Sequence, residues 1–507
     1  MSASGYISEL GYTHGFYSEL APANLRLAML SAGIDVTMPA DPSYLELGFG
    51  QGLTLNIVAA TNKGRYWGTD FNPAHAANAR ALGEISGADV RILDDAFDEL
   101  AARADLPEFD IIALHGIWSW ISDANRAVIV DIARRKLRPG GLFYVSYNVT
   151  PGWSPAMPLR HLMVEYSRAE ARGEIMQKVD QSLAFAQRLV DSGASYFANN
   201  PAVVGRLERL HQQDRHYLAH EFFNEDWHPM PFSVASKTLE PAKLSFAASA
   251  GLIDHIAHLN LSPDAQDLID SLSDARLRET TRDYFTNSQF RRDIFVKGPR
   301  PLSRIDREAA IRDAAFLLIQ HPDDVPAKVL GSLGEADMRP EIFGPVIAAL
   351  DVADAGLSVG AICAASGCAD LSLDQIWEAV LVLSAIGSVA ALPTHAPDAE
   401  AAGRAGRLNR ELCRRAAASG EIGFLASPVT GGALSVGRIS QMFLHAHALG
   451  EEPVDYVWST LSGLGERMIR DGEILQDDSE NLAFLRDMHE RFETRELPIL
   501  RRVGIAG

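Results

Sequence analysis

The residues best suited to chemistry in this 507-residue chain begin with the run Tyr44-Leu45-Glu46-Leu47-Gly48-Phe49-Gly50-Gln51-Gly52. Glycines at every second position permit a tight turn and let the backbone come close to a ligand. They fall where a strand-like segment gives way to a helix-like one. A dinucleotide fingerprint, G-x-G-x-x-G, places its third glycine at position 53, and that position is Leu53. Glu46 sets a carboxylate just before the glycines, where it would repel a pyrophosphate and tolerate a cation. Both features turn the reading away from NAD. They favour a phosphate-free cationic ligand such as S-adenosylmethionine (SAM), with its ammonium and sulfonium groups.

Three further groups stand at the ends of predicted strands. Asp70, in Thr69-Asp70-Phe71-Asn72, can accept hydrogen bonds from both ribose hydroxyls, with Phe71 or Asn72 beside an adenine. Asp95, in Asp94-Asp95-Ala96-Phe97, can accept from the adenine amino group, with Ala96 adjacent and Phe97 packed on the ring. His115-Gly116-Ile117-Trp118-Ser119-Trp120 follows the fourth strand, at the crevice where open sheets of this kind bind ligands. His115 is a candidate general base, or a donor that orients SAM. With Tyr147 it makes up the candidate catalytic set. Trp118, Trp120 and Tyr147 can line an acceptor pocket, since aromatic faces suit cations. Tyr6, Tyr12, His14 and Tyr17 suggest an N-terminal lid over the cofactor. Glu221 and Trp227 are candidates for shaping the acceptor site. Each piece has an ordinary alternative: Asp94-Asp95 could cap a helix, and His115 and the tryptophans could be core residues with satisfied polar tips. The order of the pieces, each at a strand end, is what favours a site.

To hold these groups the chain needs strands that end side by side. Strands are predicted at Ser43–Leu47, Arg65–Thr69, Val90–Leu93, Asp110–Leu114 and Leu142–Ser146, with helices between them at Leu53–Ala60, Pro73–Leu82 and Asn125–Lys136. Such alternation gives a parallel sheet with helices on both faces. Arg138-Pro139-Gly140-Gly141 reads as the stop signal of the last of these helices. Residues 155–220 turn helical and charged, an insertion that extends to about 240. Leu252–Leu261 and Phe290–Lys297 then read as the sixth and seventh strands. The fold class is therefore α/β, a Rossmann-like seven-stranded sheet with a helical insertion, ending near Gly298-Pro299. Residues 301–395 follow as a winged-helix-like module: helices, a turn at Ser366-Gly367, a helix at Leu373–Ile386, and a hairpin-like piece at Ser388–Leu392. His395–Gly406 reads as a linker, and 396–507 as a mainly helical C-terminal domain.

The formal charge of −20 disfavours broad nucleic-acid binding. The recognition-helix candidate Leu371–Ala379 points the same way, because it carries Asp374 and Glu378 and no Lys or Arg. A protein–protein or regulatory role is expected for that module. Three cysteines, Cys363, Cys368 and Cys413, make no disulfide framework and stand beside no histidine cluster; buried thiols are expected, and no metal site. Met1–Leu20 lacks a basic region followed by an apolar core, and no run of 18 apolar residues occurs. A soluble, cytoplasmic protein without a membrane partner is expected, and a homodimer is compatible with the sequence.

The block ELGFGQG (Glu46–Gly52) resembles the first motif of the class I SAM-dependent methyltransferases. Leu114–Trp153 and Arg215–Leu252 resemble the branch that carries a methyltransferase regulatory domain, and Ser427–Val436 (SPVTGGALSV) extends the likeness loosely into the C-terminal part. That branch includes bacterial protein-lysine methyltransferases of the rickettsial type. The resemblance implies a SAM site, a helical middle region and a helical or winged-helix C-terminal region. Three functions stay open: methylation of a protein side chain such as lysine, methylation of a small molecule or glycan, and SAM binding by a non-catalytic regulator.

Overall fold

Seven strands form the central sheet in the computed structural model, which describes residues 14–36, 38–213, 215, 218, 223, 224, 226–395 and 399–506. They are β1 (Ser43–Leu47), β2 (Arg65–Thr69), β3 (Val90–Leu93), β4 (Phe109–Leu114), β5 (Leu137–Asn148), β6 (Leu244–Ser249) and β7 (Phe290–Lys297). Their order is β3-β2-β1-β4-β5-β7-β6. The pairings from β3 across to β5 are parallel, and β7 runs antiparallel to both β5 and β6. The chain reverses its direction of winding between β1 and β4, which opens a crevice at their carboxyl ends.

The inner strands are apolar on both faces, as a sheet covered on both sides requires. Tyr44, Ile111, Ala113, Leu142 and Tyr144 pack into one core, together with α1 (Pro22–Ser31), α2 (Leu53–Thr61) and α3 (Pro73–Ser86). Their neighbours Leu45, Leu47, Ile112, Leu114, Phe143 and Val145 pack into the opposite core. That side is covered by α4 (Phe97–Ala102), α5 (Asp123–Lys136) and the Phe232–Leu239 helix.

Four expectations are corrected. The sixth strand is Leu244–Ser249, whereas Leu252–Leu261 forms a 3-10 turn and a short helix. Its buried residues Leu252, Ile256 and Leu259 recur at helical spacing. Arg138-Pro139-Gly140-Gly141 does not close α5, because Leu137 already pairs with Phe109 as the start of β5. The glycines instead let β5 rejoin the ladder after a register shift, with Gly140 at φ +81°. Ser388–Leu392 is not a hairpin: Val389–Ala391 is one strand, paired with Ala315–Leu318 from earlier in the chain. The Leu373–Ala385 helix beside it is core, with Ile376, Trp377, Val380 and Leu383 buried, so it presents no reading face. Within the expected linker, Ala401–Ala416 is a helix. Its alanines favour helix, and Ala401, Arg404, Ala405 and Leu408 form one buried stripe.

The insertion consists of α6 (Met157–Ala169), α7 (Ile175–Asp191), α8 (Ser195–Asn199) and α9 (Pro201–Gln212), around a separate core that includes Leu159, Met163, Leu183 and Leu207. Beyond β7 the chain does not drift away. Asp35 and Leu302 exchange backbone hydrogen bonds with Arg300 and Gly33, and apolar residues from Ile311 to Val503 join the core beneath α1–α3. The Ala401–Ala416 helix lies against α2 and α3. Arg404 donates to the carbonyls of Ala60 and Asn62 at the end of α2, and Arg407 to that of Ser86 at the end of α3. Cations suit helix C-termini, where carbonyls lack partners. All three cysteines are free, and no helix among the described residues is long and apolar enough to cross a membrane.

Candidate active site

The crevice between β1 and β4 is a cavity of about 600 Å³. Its floor is the glycine turn between β1 and α2. Gly48, Gly50 and Gly52 all have left-handed φ, +72°, +58° and +73°. A Cβ at Gly52 would stand 2.4 Å from that of Ala79, and one at Gly48 would meet Ile117 at 2.7 Å. Glycine is thus required there both for the turn and for the close approach of Ala79 and Ile117 to it.

Asp70, at the end of β2, ties the turn down. One carboxylate oxygen accepts from the Gly50 N–H at 2.9 Å; the other accepts from the Asn72 N–H at 3.0 Å and lies 3.2 Å from His75 Nδ1. The carboxylate lines the cavity, but much of its capacity is committed to the chain itself. Glu46 is 4% exposed, lines the cavity, and its Oε2 has no hydrogen-bond partner among the described residues. Burial, with the Asp70 charge nearby, pushes its carboxyl up to about 8. A buried carboxyl with an empty acceptor position is a ready partner for a cation.

Along the rim, Phe71, Asp95, Ala96 and Phe97 all face the cavity. Asp95 pairs with Arg103 at 2.9 Å, and the Ala96 N–H donates to Glu99. Asn72 does not reach the cavity: it caps α3, accepting from the Ala74 N–H.

His115, after β4, is sandwiched. Tyr17 stacks on its ring at 3.8 Å, and Nδ1 lies 2.8 Å from the Tyr144 hydroxyl. Burial pulls its imidazole down to about 4, against the opposing pull of Glu19. Glu19 is in turn 3.5 Å from Arg292 of β7. Gly15 and Tyr17 wall the cavity through the docking of residues 14–17, in which the Tyr17 N–H donates to Thr54 at the start of α2. Tyr6, Tyr12 and Glu221 lie outside the described residues.

Among the aromatic candidates for the acceptor pocket only Trp120 lines the cavity. Trp118 is fully buried in the core below. Tyr147 is buried on the other face of β5, where its hydroxyl donates to Asp293 at 2.7 Å. Strand alternation explains that correction: Tyr144 and Ser146 face the site, and Tyr147 faces away. Trp227 stands behind Trp120, with ring centroids 6.2 Å apart, and edge-on to Trp153 within the insertion core. Tyr144, Glu19, Arg292, Asn125 of α5, and Asn224 and Asp226 of the insertion went unread in the sequence. The parity of β5 could have found Tyr144; no local signal marks the others.

The strand order with one reversed strand, the glycine turn and the acids at successive strand ends define a class I methyltransferase. Residues 45–141 match the methyltransferase domain model, and residues 214–297 match the predicted methyltransferase regulatory domain model. An uncharacterized protein of Synechocystis sp. is 36% identical over 505 residues, covering 99% of both chains. An uncharacterized protein of Rickettsia prowazekii is 25% identical over 307 residues, 58% of this chain and 53% of that one. PKMT2 from Rickettsia typhi, solved in complex with AdoHcy, superposes with a TM-score of 0.68 over 95% of this chain and 98% of its own, at 16% identity. The PKMT2 structure described without AdoHcy gives 0.70 at 14% identity over 98% and 100%. At that identity the likeness speaks to the fold, and it extends through the C-terminal half. The chain belongs to the class I SAM-dependent methyltransferases that carry a methyltransferase regulatory domain. Its cofactor is SAM, which the residues fit: a buried Glu46 whose Oε2 has no partner among the described residues for the cationic end, and three glycines whose bare backbone lines the cavity floor.

Proposed function

We propose that this enzyme methylates a protein side chain, lysine foremost. The observation that carries the reading is the composition of the cavity beyond the glycine turn. Trp120, Ile117, Ile121 and Val128 contribute apolar lining, together with Asn224 and Asp226 of the insertion. An aromatic and apolar lining that also includes a carboxylate suits a long alkyl stem ending in an amine. The fold shared with rickettsial PKMT2 supports the same reading.

When bound, SAM supplies a methyl carbon on a sulfonium, open to in-line attack by a lone pair. The protein's own work is to bind, orient and exclude water. In this reading Glu46 faces the ammonium, Asp70 keeps a lone pair for the ribose while fixing the turn, and Asp95 and Phe97 flank the adenine. His115 takes up a proton only near pH 4, which makes it a poor general base at neutral pH. We assign it to positioning, between Tyr17 and Tyr144. A lysine amine entering along Trp120 sheds water, and desolvation favours its neutral, nucleophilic form.

The test is incubation of the enzyme with methyl-labelled SAM, a bacterial lysate and the lysate's small-molecule fraction. Label on protein lysines, located by mass spectrometry, is the expected result. Label confined to small molecules would move the acceptor to a metabolite, and SAM binding without transfer would leave a regulator.

A further inference from the structure

One group of three His, Cys, Asp or Glu donors among the described residues converges tightly enough to hold a metal: His447, His489 and Glu493. It lies in the C-terminal helical region and lines no part of the cofactor cavity. His447 closes the Arg438–Leu449 helix, His489 the Asp478–Arg491 helix, and Glu493 sits in the π turn Phe492–Glu496 that follows. We propose that these three side chains bind one divalent transition-metal ion, clipping the two helices together.

The donor atoms are already close. Glu493 Oε1 is 3.0 Å from His447 Nε2 and 3.6 Å from His489 Nε2, and all three lie within 4.8 Å of one another. Donors around a tetrahedral zinc stand about 3.3 Å apart, given bonds of ~2.0 Å. His489 Nε2 is buried and makes no hydrogen bond among the described residues. Such an atom is costly to leave unsatisfied, and a metal would satisfy it. The two imidazoles are held in place. Phe443 packs edge-on to His489 at 4.9 Å, and Phe492 lies 6.2 Å from His447; both phenylalanines are buried. π turns recur at functional sites, and this one is pinned by Ser440 donating to Glu496 at 2.7 Å. His489 also lines a surface cavity of about 350 Å³, and the partly exposed His447 and Glu493 leave the cluster open to solvent. Two imidazoles and one carboxylate with further positions open suit Zn²⁺, Ni²⁺, Co²⁺ or Fe²⁺ rather than Mg²⁺ or Ca²⁺.

The experiment titrates the full-length, tag-free chain with Co²⁺, read by visible absorption, then displaces it with Zn²⁺. His447→Gln and Glu493→Gln are run in parallel. Both side chains are about two-fifths exposed, 42% and 38%, so neither change opens the core. One Co²⁺ per chain is expected, displaced by Zn²⁺, with affinity at least about tenfold lower in each variant. Zn²⁺ should also raise the melting temperature of the wild type and not of the variants. No saturable binding, or equal affinity in the wild type and both variants, would overturn the proposal.

Discussion

Glu46 couples the site to pH. Its carboxyl, pushed to about 8 from an ordinary 4.5, keeps in the folded chain a proton that the unfolded chain releases. The folded state therefore binds more protons between those values, and the stability this contributes is lost as pH rises through 8. His115 acts oppositely: lowered to about 4 from 6.5, it contributes stability that is lost as pH falls from 6.5 through 4. The window from pH 6.5 to 8 therefore isolates Glu46. Without SAM, the melting temperature of the wild type should fall across that window relative to Glu46→Gln. SAM affinity should rise over the same window, by at most about tenfold per pH unit, and stay flat in the variant. Parallel wild-type and variant curves would remove Glu46 from the cationic end of SAM. At this scale much of the site was legible, because glycines and acids at strand ends advertise themselves. Trp118 and Tyr147 misled: their types suit a pocket, but strand parity and loop course decide which way a ring points. Asn72 misled because a helix cap and an adenine neighbour use the same residue type at the same place.

The glycine turn is only as rigid as α2, which leaves it, and α3, which braces it. Both α2 and α3 end against arginines of the Ala401–Ala416 helix. A third arginine extends the link: Arg415 donates to Asn78 of α3, whose amide donates to the Gln51 carbonyl in the turn. Arg404 is 8% exposed and bonded to two terminal carbonyls. Its replacement by Ala should cost about 1.5–3 kcal/mol, the scale of hydrogen bonds to a charged group. Urea denaturation would show this as a lower midpoint with an unchanged slope. A loss below about 0.5 kcal/mol, the range of neutral surface changes, would mean that water replaces the guanidinium freely. Strands β1 to β4 were legible because each is a short run rich in apolar, aromatic or β-branched residues that stops at a Gly, Asp or His before the chain continues. β6 was not: Leu244-Ser245-Phe246-Ala247-Ala248-Ser249 carries two alanines and two serines and no β-branched residue, and its strand character comes from pairing with β7.

At the level of the whole molecule, we read segments 1–300, 301–395 and 396–507 as parts that share one core. The core cluster beneath α1–α3 includes Phe316, Leu383, Leu408 and Phe443 alongside Tyr44 and Leu55. The full chain should therefore unfold in a single transition, with calorimetric and van't Hoff enthalpies in agreement. A fragment ending at residue 300 should bind a hydrophobic dye and melt broadly. A fragment melting as sharply as the parent would make the first segment an independent domain. Sequence periodicity suggests separate segments and carries no sign of the contacts between them, since pairs such as Asn62 donating to the Gly431 carbonyl join residues 369 positions apart.

The docked residues 14–17 bring time into the account. His14 lies 3.4 Å from Glu421, Phe16 packs on Phe424 at 5.8 Å, and Tyr17 stacks on His115. Swinging this strap aside breaks two ring contacts worth ~0.5–1.5 kcal/mol each. The open form is then populated at roughly half a per cent to fifteen per cent, and passage on that side slows in proportion. A change at Phe424, hundreds of residues from the glycine turn, would register first in how long SAM stays bound.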